Sequence, residues 1–110
     1  MKLPNREKAY IESSKVHDYL LSNVHPIGKW KARFFRVYGF EDSNEDLLEQ
    51  QLMTIAHSED IRNIISSPHG MKYIIEGTLE TPVGILVKVR TVWIIDDGQD
   101  RPRFVTAYPL

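Results

Sequence analysis

Apolar residues recur every three or four positions through the first half of the chain and at alternate positions through much of the second half. That change of period predicts helices first and a sheet after them. In "SSKVHDYLLSN", Ser13 or Ser14 can cap a short helix over about 14–22, with Val16, Tyr19 and Leu20 on one face and Asn23 and Pro26 stopping it. In "HPIGKWKARFFRVYGF", Gly28 loosens the approach to a helix over about 29–38, and Gly39 is placed to end it. "DSNEDLLEQQLMTIAHS" offers Ser43 or Asn44 as a cap and acids in the first turn. Leu48, Leu52 and Ile55 then form the inward stripe of a helix over about 44–58.

After "SSPHG" the pattern alternates. Tyr73, Ile75 and Leu79 share one side of a strand over about 72–80, and Ile85, Val87, Val89, Thr91, Trp93 and Ile95 share one side of a second over about 85–95. Closing the hairpin directly between Thr81 and Gly84 would set Glu76 and Thr78 against Val87 and Val89, so burial favours a shifted register with Leu79 and Ile75 against Ile85 and Val89. A polar loop, "DDGQDRP", leads into a third antiparallel strand over about 103–108, with Pro102 at its start, where proline is tolerated. Alternation puts Phe104, Thr106 and Tyr108 on one side of that strand and Arg103, Val105 and Ala107 on the other; neither set is purely apolar, so the inward side stays open. The expected architecture is one α+β domain over 1–110, with N-terminal helices packed on one face of a small C-terminal antiparallel meander.

Composition narrows the function classes. A chain of 110 residues, 42% apolar and 26% charged, suits a single folded core. The formal net charge of −1 argues against a surface that wraps nucleic acid all round, so any basic patch must be local. With no cysteine there is no disulfide, thiolate metal site or thiol nucleophile. His17, His25, His57 and His69 lack metal-ligand spacing, and there is no phosphate-loop or dinucleotide motif, so neither metal nor cofactor is expected. No run approaches the ~18 apolar residues of a membrane span, and cytoplasm is the default location.

Candidate chemistry concentrates on the second helix and the last two strands. At about 100° per residue from Lys29, the side chains of Trp30, Phe34, Phe35, Val37 and Tyr38 fill an arc from roughly 80° to 240°, which reads as the core face, and Lys29, Arg33 and Arg36 form a basic stripe near 0°. Lys31 falls inside the apolar arc, where a lysine must snorkel, find a buried anion or face a cleft. The stripe is either a solvated face or a set of phosphate contacts. His25, in a local break at the head of this helix, is either an ordinary loop histidine or a proton carrier. Lys88 and Arg90 point away from the Val87–Trp93 face; with Arg103, Arg90 could make a cationic floor, or pair across strands with Glu76 or Glu80. Thr106 and Tyr108 are either strand formers or contacts to phosphate and base.

The stretches "LPNREKAYI", "DYLL", "HPIGKWKARFF" and "PRFVTAYP" together resemble a family of small bacterial domains of unknown function, over nearly the whole chain. The tail also resembles the closing strand of ribonuclease toxins of the fold shared by barnase, EndoU, colicin E5, colicin D and RelE. That second resemblance implies metal-independent RNA cleavage through the 2′-hydroxyl. His25 would be the acid–base group, Lys31, Arg90 and Arg103 would hold the phosphate, Thr106 and Tyr108 would complete the site, and Lys29, Arg33, Arg36 and Lys88 would bind substrate. It implies RNA as a partner and leaves open a protein partner or inhibitor, self-association through a sheet edge, and a non-catalytic nucleic-acid-binding or protein-interaction domain as the alternative. The chain departs from the pattern in lacking a clear pair of catalytic histidines.

Overall fold

The computed structural model describes residues 1–22, 24 and 29–110. His25, with the expected helix stop at Asn23 and Pro26 and the approach at Gly28, lies outside the described residues. The fold is α+β, with helices in the N-terminal half and a four-stranded antiparallel sheet in the C-terminal half. A 3₁₀ turn at Arg6–Lys8 precedes α1 (Ser13–Lys15), which runs directly into a π-helical stretch, Val16–Leu20. Next come α2 (Lys29–Val37), a 3₁₀ turn (Asp42–Asn44) and α3 (Glu45–Ser58). The sheet follows in chain order: β1 (Asn63–Ser67), β2 (Gly70–Glu80), β3 (Leu86–Asp96) and β4 (Arg103–Pro109). No helix of the described residues is long and apolar enough to cross a membrane.

The stripe read on α3 holds: Leu48, Leu52 and Ile55 are buried, and Glu41 and Asn44 exchange the reciprocal side-chain and backbone bonds of a capping box ahead of the helix. Gly39, at φ 94°, ends α2 in a conformation that a Cβ would penalise. Tyr73, Ile75 and Leu79 of β2 and Val89, Thr91 and Trp93 of β3 are buried on the face that α3 covers.

Four expectations change. β1 was missed because it is the sheet's edge: Ile64 and Ile65 are exposed, so no buried face impresses a period on the sequence. That edge holds no charged residue between Asn63 and Ser67.

The β2–β3 register pairs Ile75 with Thr91 and Leu79 with Val87, two residues from the expected alignment. The cause is the turn, where the Thr81 hydroxyl donates to the Ile85 carbonyl at 2.6 Å, the Ile85 N–H donates back to the hydroxyl at 3.2 Å, and the Gly84 N–H donates to the Thr81 carbonyl at 2.9 Å. Thr81 and Ile85 thereby face each other across a three-residue loop, and the inward set keeps its parity.

A bulge in β4 breaks the simple alternation of the last strand. Phe104 pairs with Trp93 and Thr106 with Val92, which leaves Val105 as the extra residue. Phe104 and Ala107 are therefore the buried pair, while Arg103, Thr106 and Tyr108 stand opposite Ile94, Val92 and Arg90, on the other face. Neither of the two alternating sets is the core face.

α2, finally, is rotated by roughly 100° about its axis from the expected orientation. Ala32 and Phe35 are buried, whereas Trp30 is 61% and Val37 69% exposed. The Arg36 guanidinium, donating to the Leu21 carbonyl and to Asp42, and the edge-to-face contact of Phe35 with Phe40 fix that rotation.

Helix and sheet come into close contact where Ile55 of α3 crosses Gly77 of β2. A Cβ on Gly77 would stand 2.7 Å from Ile55 Cγ1 and 3.0 Å from its Cδ1 and Cγ2, so no branch of that side chain can swing clear. Gly77→Ala is expected to destabilise the chain by about 1–3 kcal/mol, as overpacking does. Urea titration of Gly77→Ala, Ile55→Ala and the double variant checks this: the double variant should lose less than the two single losses added together.

Candidate functional site

The lysine that sequence periodicity placed among apolar residues marks the most unusual polar cluster of the fold. Lys31 leaves α2 half-buried, and its ammonium donates to the Tyr19 hydroxyl at 2.5 Å and to Thr106 Oγ1 at 3.0 Å. The two hydroxyls are themselves 3.2 Å apart, so the three groups close a triangle. The ammonium also lies 4.9 Å from the centroid of the Tyr19 ring, and Lys15 adds a second cation 5.2 Å from it. Among the described residues, no carboxylate lies within ion-pair distance of Lys31. Among the described residues the bonds of this ammonium go to hydroxyls, which bring no counter-charge to compete with an incoming anion.

Each element contributes for a local reason. The π-helical stretch buries Val16 and Leu20, while Tyr19 between them is half-buried and within reach of Lys31. β4 presents Thr106 because the bulge at Val105 resets its phase. The Tyr19 phenol feels opposing influences: burial pulls its pKa up, but the hydrogen bonds with Lys31 and Thr106 and the charges of Lys31 and Lys15 outweigh burial and hold it below the ordinary tyrosine value of 10.0.

Two residues along β4 from Thr106, about 7 Å by strand geometry, Tyr108 pairs with Arg90. The Arg90 guanidinium donates twice to Glu76, from Nε at 3.0 Å and Nη2 at 2.6 Å, and also bonds Tyr108; these contacts hold its pKa above the ordinary arginine value. At the other end of the strand Arg103 grips Asp96 with two bonds, of 3.1 and 3.0 Å, and holds that carboxyl below the ordinary aspartate range. The cationic floor considered for Arg90 and Arg103 is thus not a free positive surface. Both arginines are matched by cross-strand carboxylates, Arg90 by Glu76 and Arg103 by Asp96, the first of which was the pairing weighed against it.

The structure brings Lys31 and Thr106 into contact and sets Tyr108 and Arg90 beside them on one sheet face. Lys88 is exposed further along that face, opposite Thr78. Lys29, Arg33 and Arg36 are not part of the cluster: they line a separate shallow concavity with Trp30 and Val37. Among the described residues no three His, Asp or Glu side chains are grouped to hold a metal ion. Tyr19 is the residue that sequence reasoning missed. Its signal was Lys31 itself, since a lysine within an apolar arc needs a polar partner on the neighbouring element, and Tyr19 is the hydroxyl-bearing residue on the inward side of the preceding helix.

Comparison with known proteins adds the family and the fold. A family profile described as a domain of unknown function, DUF6883, matches residues 2–110. The chain belongs to that family. A search of curated proteins returns no match. Among solved structures, this DUF6883 chain is similar to a chain of a contact-dependent growth inhibition toxin–immunity protein complex from Klebsiella pneumoniae 342. The TM-score is 0.72 at 20% sequence identity, over 94% of this chain and 95% of that one, a likeness of fold.

Proposed function

We propose that this chain is a toxin-type ribonuclease domain that cleaves RNA without a metal ion. The observation that carries the reading is the Lys31 ammonium, half-buried between the hydroxyls of Tyr19 and Thr106 with no carboxylate among the described residues to neutralise it. That is the electrostatic setting a phosphodiester oxygen seeks, and one that gains strength as charge grows on phosphorus-bound oxygens during reaction. In the reaction the 2′-oxygen bonds to phosphorus as the bond to the 5′-oxygen breaks, giving a 2′,3′-cyclic phosphate and a 5′-hydroxyl. A base takes the 2′-hydroxyl proton and an acid supplies one to the leaving 5′-oxygen.

In this scheme Lys31 and Thr106 hold the non-bridging oxygens, and Tyr19, with its lowered pKa, is one proton carrier. His25, in the segment before α2, is the candidate for the other. Tyr108 and Arg90 extend the surface towards the neighbouring nucleotide, whereas Arg103 would engage substrate only by releasing Asp96. The solved structure of similar fold belongs to a toxin–immunity complex, which supports a protein partner here too; on the ribonuclease reading that partner is an inhibitor, and an acidic group on it would complement Lys31.

Incubating the chain with structured and unstructured RNAs in the presence of a chelator tests the reading. The expected products carry 2′,3′-cyclic phosphate and 5′-hydroxyl ends, and are lost in Lys31→Ala and His25→Ala. Equal product from all three proteins removes both residues from the reaction, and no cleavage of any RNA points instead to a nucleic-acid-binding or protein-interaction domain.

A further inference from the structure

The solvent face of α2 carries a second feature, separate from the Lys31 cluster. Lys29, Arg33, Val37 and Trp30 fall within about 100° of the helix circumference, opposite Ala32 and Phe35. Trp30 is 61% exposed, although the chain's other tryptophan, Trp93, is fully buried. Two cations bracket its ring: Lys29 Nζ lies 5.3 Å and Arg33 Cζ 5.1 Å from a ring centroid. Neither has a carboxylate within ion-pair distance among the described residues, whereas Arg36, at the rim, is occupied by Asp42 and the Leu21 carbonyl. The result is a concavity with an aromatic floor, two cations over the ring that lack carboxylate partners among the described residues, and a fixed rim.

We propose that this face is a nucleotide subsite for single-stranded nucleic acid, in which a base stacks on Trp30 while Lys29 and Arg33 hold the flanking phosphates. The ligand class follows from the chemistry. A flat indole accepts any base face, and cations without acids select for an anionic backbone. A protein partner would need an apolar surround for the indole, and among the described residues of the lining Val37 is the sole aliphatic side chain. Trp30 and Lys31 are consecutive residues about 100° apart around α2, so a strand engaged at Lys31 would reach Trp30 with an adjoining nucleotide. The choice of ligand rests in part on the ribonuclease reading, but binding here does not require cleavage.

The test uses a fluorescein-labelled hexamer of 2′-O-methyl adenosine, which has no 2′-hydroxyl to react, with anisotropy as the readout. Trp30→Ala is expected to weaken binding about 5- to 100-fold, the range for one stacked base. Lys29→Ala/Arg33→Ala should weaken it and flatten the dependence of log K on log salt by about 0.7 per lost phosphate contact. Thermal melts of both variants should match the parent, since all three side chains are exposed. Unchanged affinity in Trp30→Ala overturns the proposal. So does acrylamide quenching that finds both tryptophans shielded in the free protein, or binding of polyglutamate but not of the hexamer, which would make this face a protein surface. Absence of RNA cleavage with the hexamer still bound at Trp30 would defeat the ribonuclease reading alone.

Discussion

Lys31→Met is expected to lower RNA cleavage by about 10²–10³-fold, the loss seen when one preorganised oxyanion donor is removed, while leaving the chain folded. Methionine keeps the length of the lysine stem and removes the charge. The Tyr19 and Thr106 hydroxyls, 3.2 Å apart, can still bond each other, so neither becomes a buried orphan. The variant also carries a readout that a loss of folding would not produce. With Lys31 gone, its hydrogen bond and charge no longer oppose the burial of the Tyr19 phenol, and the pKa should climb from its lowered value towards the ordinary one. Ultraviolet titration of the phenols, with Tyr19→Phe to assign the transition, measures that shift. A Lys31→Met protein that cleaves at the parental rate, or whose Tyr19 titrates as before, would show that the ammonium does not govern this cluster.

The second large effect is on stability. Trp93 is fully buried, meets Phe104 edge-to-face at 5.2 Å, and donates its indole N–H to Thr91 Oγ1 at 2.9 Å. The Thr91 hydroxyl passes its own proton to the Ile75 carbonyl at 2.7 Å, so the indole and the hydroxyl form a short relay inside the core. Trp93→Ala empties the centre of the helix-facing side of the sheet and should cost about 3–5 kcal/mol. Thr91→Val preserves shape but leaves the indole N–H without an acceptor, at about 1–3 kcal/mol. Denaturant titration followed by circular dichroism checks both, and the order matters. If Thr91→Val is neutral, the relay contributes nothing and the core is held by packing alone.

What the sequence revealed depended on whether an element has a buried face. α3 and the inward sides of β2 and β3 read directly, because Leu48, Leu52, Ile55, Ile75, Val89 and Trp93 leave a periodic trace. β1 leaves none, since both its isoleucines are exposed. α2 misled because Trp30 and Val37 stand in solvent, and hydrophobicity alone cannot tell an apolar residue that packs from one that is displayed. The hairpin register was set by hydrogen bonds of Thr81 rather than by burial. In the site, the oddity of Lys31 was legible and Thr106 was a candidate for the same site, but the triangle they form with Tyr19 was not, since Tyr19 lies 12 residues from Lys31 and Thr106 lies 75 away. Arg90 and Arg103 carry charge in the sequence, but their matching carboxylates become apparent only when the strands align.

The extra residue in β4 has a consequence for which changes this chain can absorb. Before Val105 the strand answers to Trp93 through Phe104, and after it Thr106 and Tyr108 answer to Lys31 and Arg90. Substitutions on either side leave the other in phase. An insertion or deletion at the bulge instead turns every downstream side chain to the opposite face. Length at this one position, more than composition, is what the closing strand cannot change without exchanging its core for its site.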